Sequence, residues 1–148
     1  MAELTVIDEG AFLFCELGLP DCTPDRALQA FTDPAVLTRW WHGELTADLT
    51  AGGRYEVWFP RVPARMTGQV TSYEPGRALE FSWAWAHESE PVRAVAVEVR
   101  AAEAGAVTLT VRHGPHGDDA AGLKARAAHR EGWEYFLPQL PAALAGPG

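Results

Sequence analysis

His87 and His113 each close a row of apolar residues that alternates along the chain, and they are the groups best placed to move a proton or fix a polar ligand. A neutral imidazole at the mouth of a cavity donates or accepts one hydrogen bond near neutral pH. A solvated histidine at a strand end fits the same pattern, so both are weak catalytic candidates. His113, His116, Asp118, Asp119 and His129 also carry metal-ligand atoms. Their spacing around Gly114-Pro115-His116-Gly117 matches no established zinc pattern and includes no cysteine, so neither a metal nor another cofactor is expected. Arg130 and Glu134 stand four apart as a helical ion pair, with an arginine reaching a ligand carboxylate as the sharper alternative. The chain has no Gly-x-Ser-x-Gly, no His-Glu-x-x-His, no phosphate-binding loop and no dinucleotide fingerprint. These absences weaken an enzyme reading without removing it, because ring closure of a polyketide needs only a shaped cavity and one or two acid/base groups.

Tryptophan supplies the second signal. Of six in 148 residues, four form two tight pairs, Trp40-Trp41 and Trp83-x-Trp85, and another follows a glycine at Gly132-Trp133. Trp is large and polar at one edge, and pockets for small apolar ligands are lined by aromatics with a few fixed polar groups. Trp40, Trp41, Met66, Trp83, Trp85, Val97, Leu109, His113, Trp133 and Phe136 are the candidate ligand-binding residues. Adjacent helical residues point about 100° apart, so Trp40 and Trp41 cannot face one ligand equally, and at least one is expected to pack. Gly132 reads first as a device that lets a helix approach a sheet closely.

The elements that position these residues follow from pattern. Ala11 to Leu19 reads as a strand ending before Pro20. Thr23-Pro24-Asp25 and Asp33-Pro34 each give a cap with proline at the first helical position, predicting two short helices, the second from about Pro34 to Trp41. From Glu44 to His113 the chain reads as strands: Leu45 to Leu49, Tyr55 to Phe59, Met66 to Tyr73, a turn at Glu74-Pro75-Gly76-Arg77, then Leu79, Phe81, Trp83 and Trp85 on one face. Val95, Val97 and Val99 turn at Ala104-Gly105 and return as Val107, Leu109 and Val111, with His113 continuing the inward row. From about Asp119 a long helix is expected, with a stripe of Leu123, Ala127, Arg130, Trp133, Leu137 and Leu140 and a kink or stop near Leu137 set by Pro138 and Pro141. The layout is α+β, an antiparallel sheet curving around a long C-terminal helix, in one domain over residues 1–148 with its core at 11–144.

Composition excludes several functions. A net charge of −8 with no local Lys/Arg cluster argues against nucleic acid. No apolar run approaches the length of a membrane helix and no basic segment precedes the first strand, so membrane insertion and secretion are not expected and the cytoplasm is. Cys15 and Cys22 lack a redox spacing and read as two reduced thiols.

The order of elements carries a resemblance. Thr32-Asp33-Pro34 with Leu37 and Trp40-Trp41, then Asp48-Leu49-x-x-Gly52-Gly53-Arg54, Gly68-x-Val70, Pro75-x-x-x-Leu79, Trp83, Thr108-Leu109, and His129-Arg130-x-Gly132-Trp133 with Leu137 and Leu140 together resemble the bacterial homologues of the activator of the heat-shock-protein-90 ATPase. That family belongs to the START/SRPBCC superfamily. The resemblance implies a helix-grip fold with about seven strands around the terminal helix and a hydrophobic cavity for a lipid, polyketide or similar small molecule. It implies no single reaction, and it leaves a polyketide cyclase or aromatase, or a chaperone cofactor or self-resistance protein with a protein partner, as alternatives. The chain departs from the family pattern in its two late prolines and in the Pro60–Pro63 segment.

Overall fold

The computed structural model describes residues 3–87 and 92–145. Two strands, β1 (Leu4–Glu9) and β2 (Phe12–Leu19), precede two helices, α1 (Pro24–Thr32) and α2 (Pro34–Trp40). Seven strands follow, β3 (Glu44–Ala47), β4 (Tyr55–Phe59), β5 (Ala64–Thr67), β6 (Val70–Glu74), β7 (Ala78–Trp85), β8 (Arg93–Ala101) and β9 (Val107–Gly114). Helix α3 (Ala120–Phe136) passes through a 3₁₀ turn at Leu137–Gln139 into α4 (Leu140–Ala145). All pairings are antiparallel, in the order β1-β2-β9-β8-β7-β5-β4-β3, with β6 sharing the β5 edge of β7.

The caps at Thr23 and Asp33 act where the sequence places them, and Asp119 caps the last helix in the same way. The side chain of Thr23 accepts from Arg26 N, Asp33 from Ala35 N and Asp119 from Gly122 N, satisfying amide groups that a helix start leaves without partners. The kink expected at Leu137 is the 3₁₀ turn. Register brings Val97 opposite Val111, Val99 opposite Leu109 and Val95 opposite His113, so the valine hairpin presents one apolar face as its alternation requires.

The sheet has nine strands where about seven are expected. One extra strand is β1, whose Leu-Thr-Val-Ile-Asp-Glu run is too exposed on both faces to show a clear inward row. The other arises because the single strand expected over Met66–Tyr73 is two, β5 and β6, broken at Gly68-Gln69. At Gly68 the backbone passes so close to β7 that a Cβ would lie 1.8 Å from the carbonyl oxygen of Ser82. The break lets the sheet bend there, as Gln69 N bonds Ser82 Oγ and Ser82 N bonds Gln69 O.

The helical stripe differs more. Leu123 and Ala127 are exposed, and the buried line on α3 runs through Gly122, Ala125 and Trp133, continuing to Leu137 and Leu140. Arg126 and Arg130 moor this helix, donating to Gly10 O and Val6 O and both reaching Asp8. Cys15 and Cys22 are free thiols, and burial pushes Cys15 up to about 12.

Substituting Gly68→Ala forces a methyl group into a backbone carbonyl and should lower stability by about 2–3 kcal/mol. Chemical denaturation checks this, and an unchanged midpoint would contradict the close approach assigned to Gly68.

Candidate functional site

Two aromatic residues of the sheet and second helix are consumed by helix α1. Its last carbonyls have no partner within the helix. Trp40 Nε1 donates to Ala30 O at 2.7 Å and Tyr55 Oη donates to Phe31 O at 2.6 Å, and both side chains are fully buried. Tyr55 also stacks on Phe81 at 4.0 Å between ring centroids. This end of the sheet is therefore solid core.

Farther along β7 the packing opens. Trp41 stacks on Trp40 at 4.9 Å and reaches Trp83 at 5.9 Å and Trp133 at 5.4 Å. Phe59 meets Trp85 edge-on at 5.8 Å, and Trp83 meets Trp85 edge-on at 5.5 Å. Between these rings and helix α3 lies a cavity of about 160 Å³, walled by Trp41, Phe59, Val62, Trp83, Trp85, His113, Ala128, His129, Gly132, Trp133 and Phe136. Stiff planar rings meeting at steep angles leave space that flexible aliphatic chains would fill. Val62, 60% exposed, sits in the turn Pro60–Pro63 at the rim.

Trp41, Trp83, Trp85, His113, Trp133 and Phe136 are thus brought together from four elements or their ends. Trp40, Met66, Val97 and Leu109 are fully buried in the packed core and form no part of the cavity wall. His87 is exposed and lies beside Trp85 at 5.9 Å, outside the wall. Arg130 also lies outside it, its guanidinium engaged by Val6 O, Asp8 and Glu134. Phe59, Val62, Ala128 and Gly132 were not legible as wall residues. Gly132 differs from its expected role, because a Cβ there meets nothing within 4 Å and points into open space. His129 stands four before Trp133, a spacing that places both on one helical face and could have signalled it.

The polar side of the wall is a histidine cluster. Trp133 Nε1 donates to His113 Nδ1 at 3.0 Å, and the His113 and His129 rings stack at 4.3 Å and 28°. His129 Nδ1 and His116 Nε2 are 2.9 Å apart, and His116 Nδ1 lies 3.3 Å from the carbonyl oxygen of Ala11. Burial lowers the proton affinity of all three, His129 to about 3 and His113 well below the usual histidine value; neighbouring histidines add to it at His113 and His129, and Arg93 adds to it at each. All three are neutral at pH 7.

A nitrogen from each of these histidines lies within 4.8 Å of the others, the strongest grouping of metal-ligand atoms among the described residues. The sequence spacing did not show it, because β9, a loop and α3 each contribute one. His116 has the backbone-carbonyl partner typical of a metal-bound histidine. His113 does not fit: its Nδ1 lone pair is taken by Trp133, so its Nε2 carries the proton and has no pair to offer.

A curved antiparallel sheet gripping a terminal helix around an aromatic cavity defines a helix-grip ligand-binding scaffold. The family profile described as activator of Hsp90 ATPase homolog 1-like protein matches residues 21–145, and the chain belongs to that family. Among solved structures it is similar to DynU16, a protein of the dynemicin biosynthetic locus, at 26% identity and a TM-score of 0.76 over 93% of this chain and 48% of DynU16, so it spans about half of that protein. It is also similar to Ms6760 from Mycobacterium smegmatis, at 18% identity and a TM-score of 0.80 over 99% of both chains. CalU16 from Micromonospora echinospora shares 22% identity and a TM-score of 0.72 over 98% of this chain and 87% of its own. No curated protein matches the chain. No helix among the described residues is long and apolar enough to cross a membrane.

The cluster makes stability depend on pH. The unfolded chain binds protons at these histidines below about pH 6.5 while the folded chain resists them, so stability is full above that pH. It is lost as pH falls toward the folded value, about 3 for His129, at no more than about 1.4 kcal/mol per pH unit for each histidine. Thermal unfolding at pH 7.5 and pH 5 should show a lower Tm at pH 5 and a smaller loss in His129→Phe. Equal losses in the two proteins would contradict a neutral His129.

Proposed function

We propose that the protein binds a small, mostly apolar aromatic molecule in the cavity between its sheet and helix α3. The observation that carries this reading is the cavity itself, about 160 Å³ walled almost wholly by rings and aliphatic carbon. Apolar cavities of about 150 Å³ stay dry and take up benzene-sized ligands, so one- and two-ring compounds fit best. Burying roughly 300 Å² of such a ligand is worth about 7 kcal/mol before association costs of at least about 4 kcal/mol. The surplus is at most about 3 kcal/mol, so a bare hydrocarbon should bind weakly, with a Kd on the order of several millimolar, and polar contacts would tighten it. The similarity to DynU16 supports a ligand from the class of biosynthetic small molecules.

A second reading, an enzyme of the cyclase or aromatase type, draws on one observation, the neutral imidazoles of His113 and His129 in the wall. It requires turnover that disappears when the imidazole is removed. Binding alone does not.

Titration with naphthalene, followed by tryptophan fluorescence, tests the leading reading with two variants. Trp85→Ala should weaken binding about tenfold. Gly132→Leu should abolish it by filling the cavity, while stability holds or rises because glycine is a poor helix residue by about 1 kcal/mol. Unchanged binding in Gly132→Leu would move any ligand site elsewhere.

A further inference from the structure

The histidine cluster has a direction that its hydrogen bonds fix. A backbone carbonyl only accepts, so the 3.3 Å contact from His116 to Ala11 O places the proton of His116 on Nδ1. Its Nε2 is then a lone pair, and the 2.9 Å partner on His129 must donate, which places the proton of His129 on Nδ1. The remaining nitrogen of His129, Nε2, is a lone pair. His129 belongs to the cavity wall, and its Nε2 has no hydrogen-bond partner among the described residues yet is not among their sealed polar atoms. His113 cannot use that lone pair, because its ring lies stacked on that of His129 at 28°, and in-plane donors and acceptors of stacked rings do not meet.

We propose that His129 Nε2 is the polar reading point of the cavity and accepts a hydrogen bond from the hydroxyl group of a one- or two-ring phenol or enol. The relay from His129 through His116 to Ala11 O holds the imidazole in the accepting tautomer, the role a carbonyl or carboxylate plays behind an oriented histidine elsewhere. The remaining wall rewards an aromatic body. A ligand oxygen without its hydrogen gains nothing here, since two acceptors face each other. The inference rests on the proposed binding function and adds the chemical group that the site recognises.

Three probes on one ring system separate the contributions: naphthalene, 1-methoxynaphthalene and 1-naphthol, titrated into the full chain with fluorescence detection. Naphthol should bind about fivefold more tightly than either of the others, the effect of one net hydrogen bond. The preference should vanish in His129→Phe and shrink in His116→Phe, which removes the group orienting His129 from outside the cavity wall, while naphthalene binding persists in His116→Phe. Equal affinity for the three probes in the parent protein would overturn the inference and leave the binding function standing; no binding by any probe would remove both. Long-range ¹⁵N–¹H NMR of the parent protein provides a check that needs no variant. It should show His116 and His129 protonated at Nδ1 and His113 at Nε2, and a His129 protonated at Nε2 would overturn the inference. Equimolar zinc should leave these signals unmoved, and coordination by all three histidines would replace the reading point with a metal centre.

Discussion

The hydrogen bond from Trp133 Nε1 to His113 Nδ1 joins the terminal helix to the sheet at the floor of the cavity, and the surrounding chemistry depends on it. Both partners are buried, so an unpaired indole N–H there would cost about 1–3 kcal/mol. The bond holds α3 at a set height above β9, and it also decides which nitrogen of His113 is protonated. That single assignment removes His113 as a metal ligand and leaves a cluster of neutral rings that pack as aromatics do. A cavity wall that is apolar in bulk but contains imidazoles is the result.

The same economy of polar edges explains why some aromatic residues fill space and others leave it. Trp40 and Tyr55 direct their N–H and O–H groups to the carbonyls at the end of α1, which locks their rings into the core. Trp41, next to Trp40 in sequence, stacks on its neighbour and turns its other face to Trp83 and Trp133. The cavity begins where the demand of α1 for hydrogen-bond donors ends. Helix α3 stays at a distance there because Arg126 and Arg130 moor it to the β1–β2 edge, and because Gly132 presents no side chain to bridge the gap.

Much of this architecture was legible in the sequence, because its signals are local. The caps at Thr23 and Asp33, the turn at Pro75-Gly76 and the alternation from Leu79 to Trp85 each require only a few neighbouring residues. The split at Gly68 was not legible, since it depends on how close β7 passes. Nor was the helical face of α3: Leu123 has the right spacing for a buried stripe but is exposed, and the smaller Gly122 and Ala125 are buried instead. For the site, the Trp pairs announced an aromatic enclosure, and adjacency on a helix showed that Trp40 and Trp41 could not face one ligand equally without showing which of them packs. His116 and His129 could not be joined to His113 from spacing, because three separate elements deliver them. Val97 and Leu109 illustrate the converse limit, being inward-facing as alternation requires yet too far down the sheet to touch the open space.

The central claim is that an accessible apolar cavity exists between β7, β9 and α3 and accepts an apolar guest. Xenon reports this without any assumption about ligand chemistry, since it enters dry apolar cavities of this size. A crystal of the protein pressurised with xenon should show one strong site enclosed by Trp83, Trp85, Trp133 and Phe136. Xenon density confined to other places, or absent altogether, would contradict the account and make these rings a closed core.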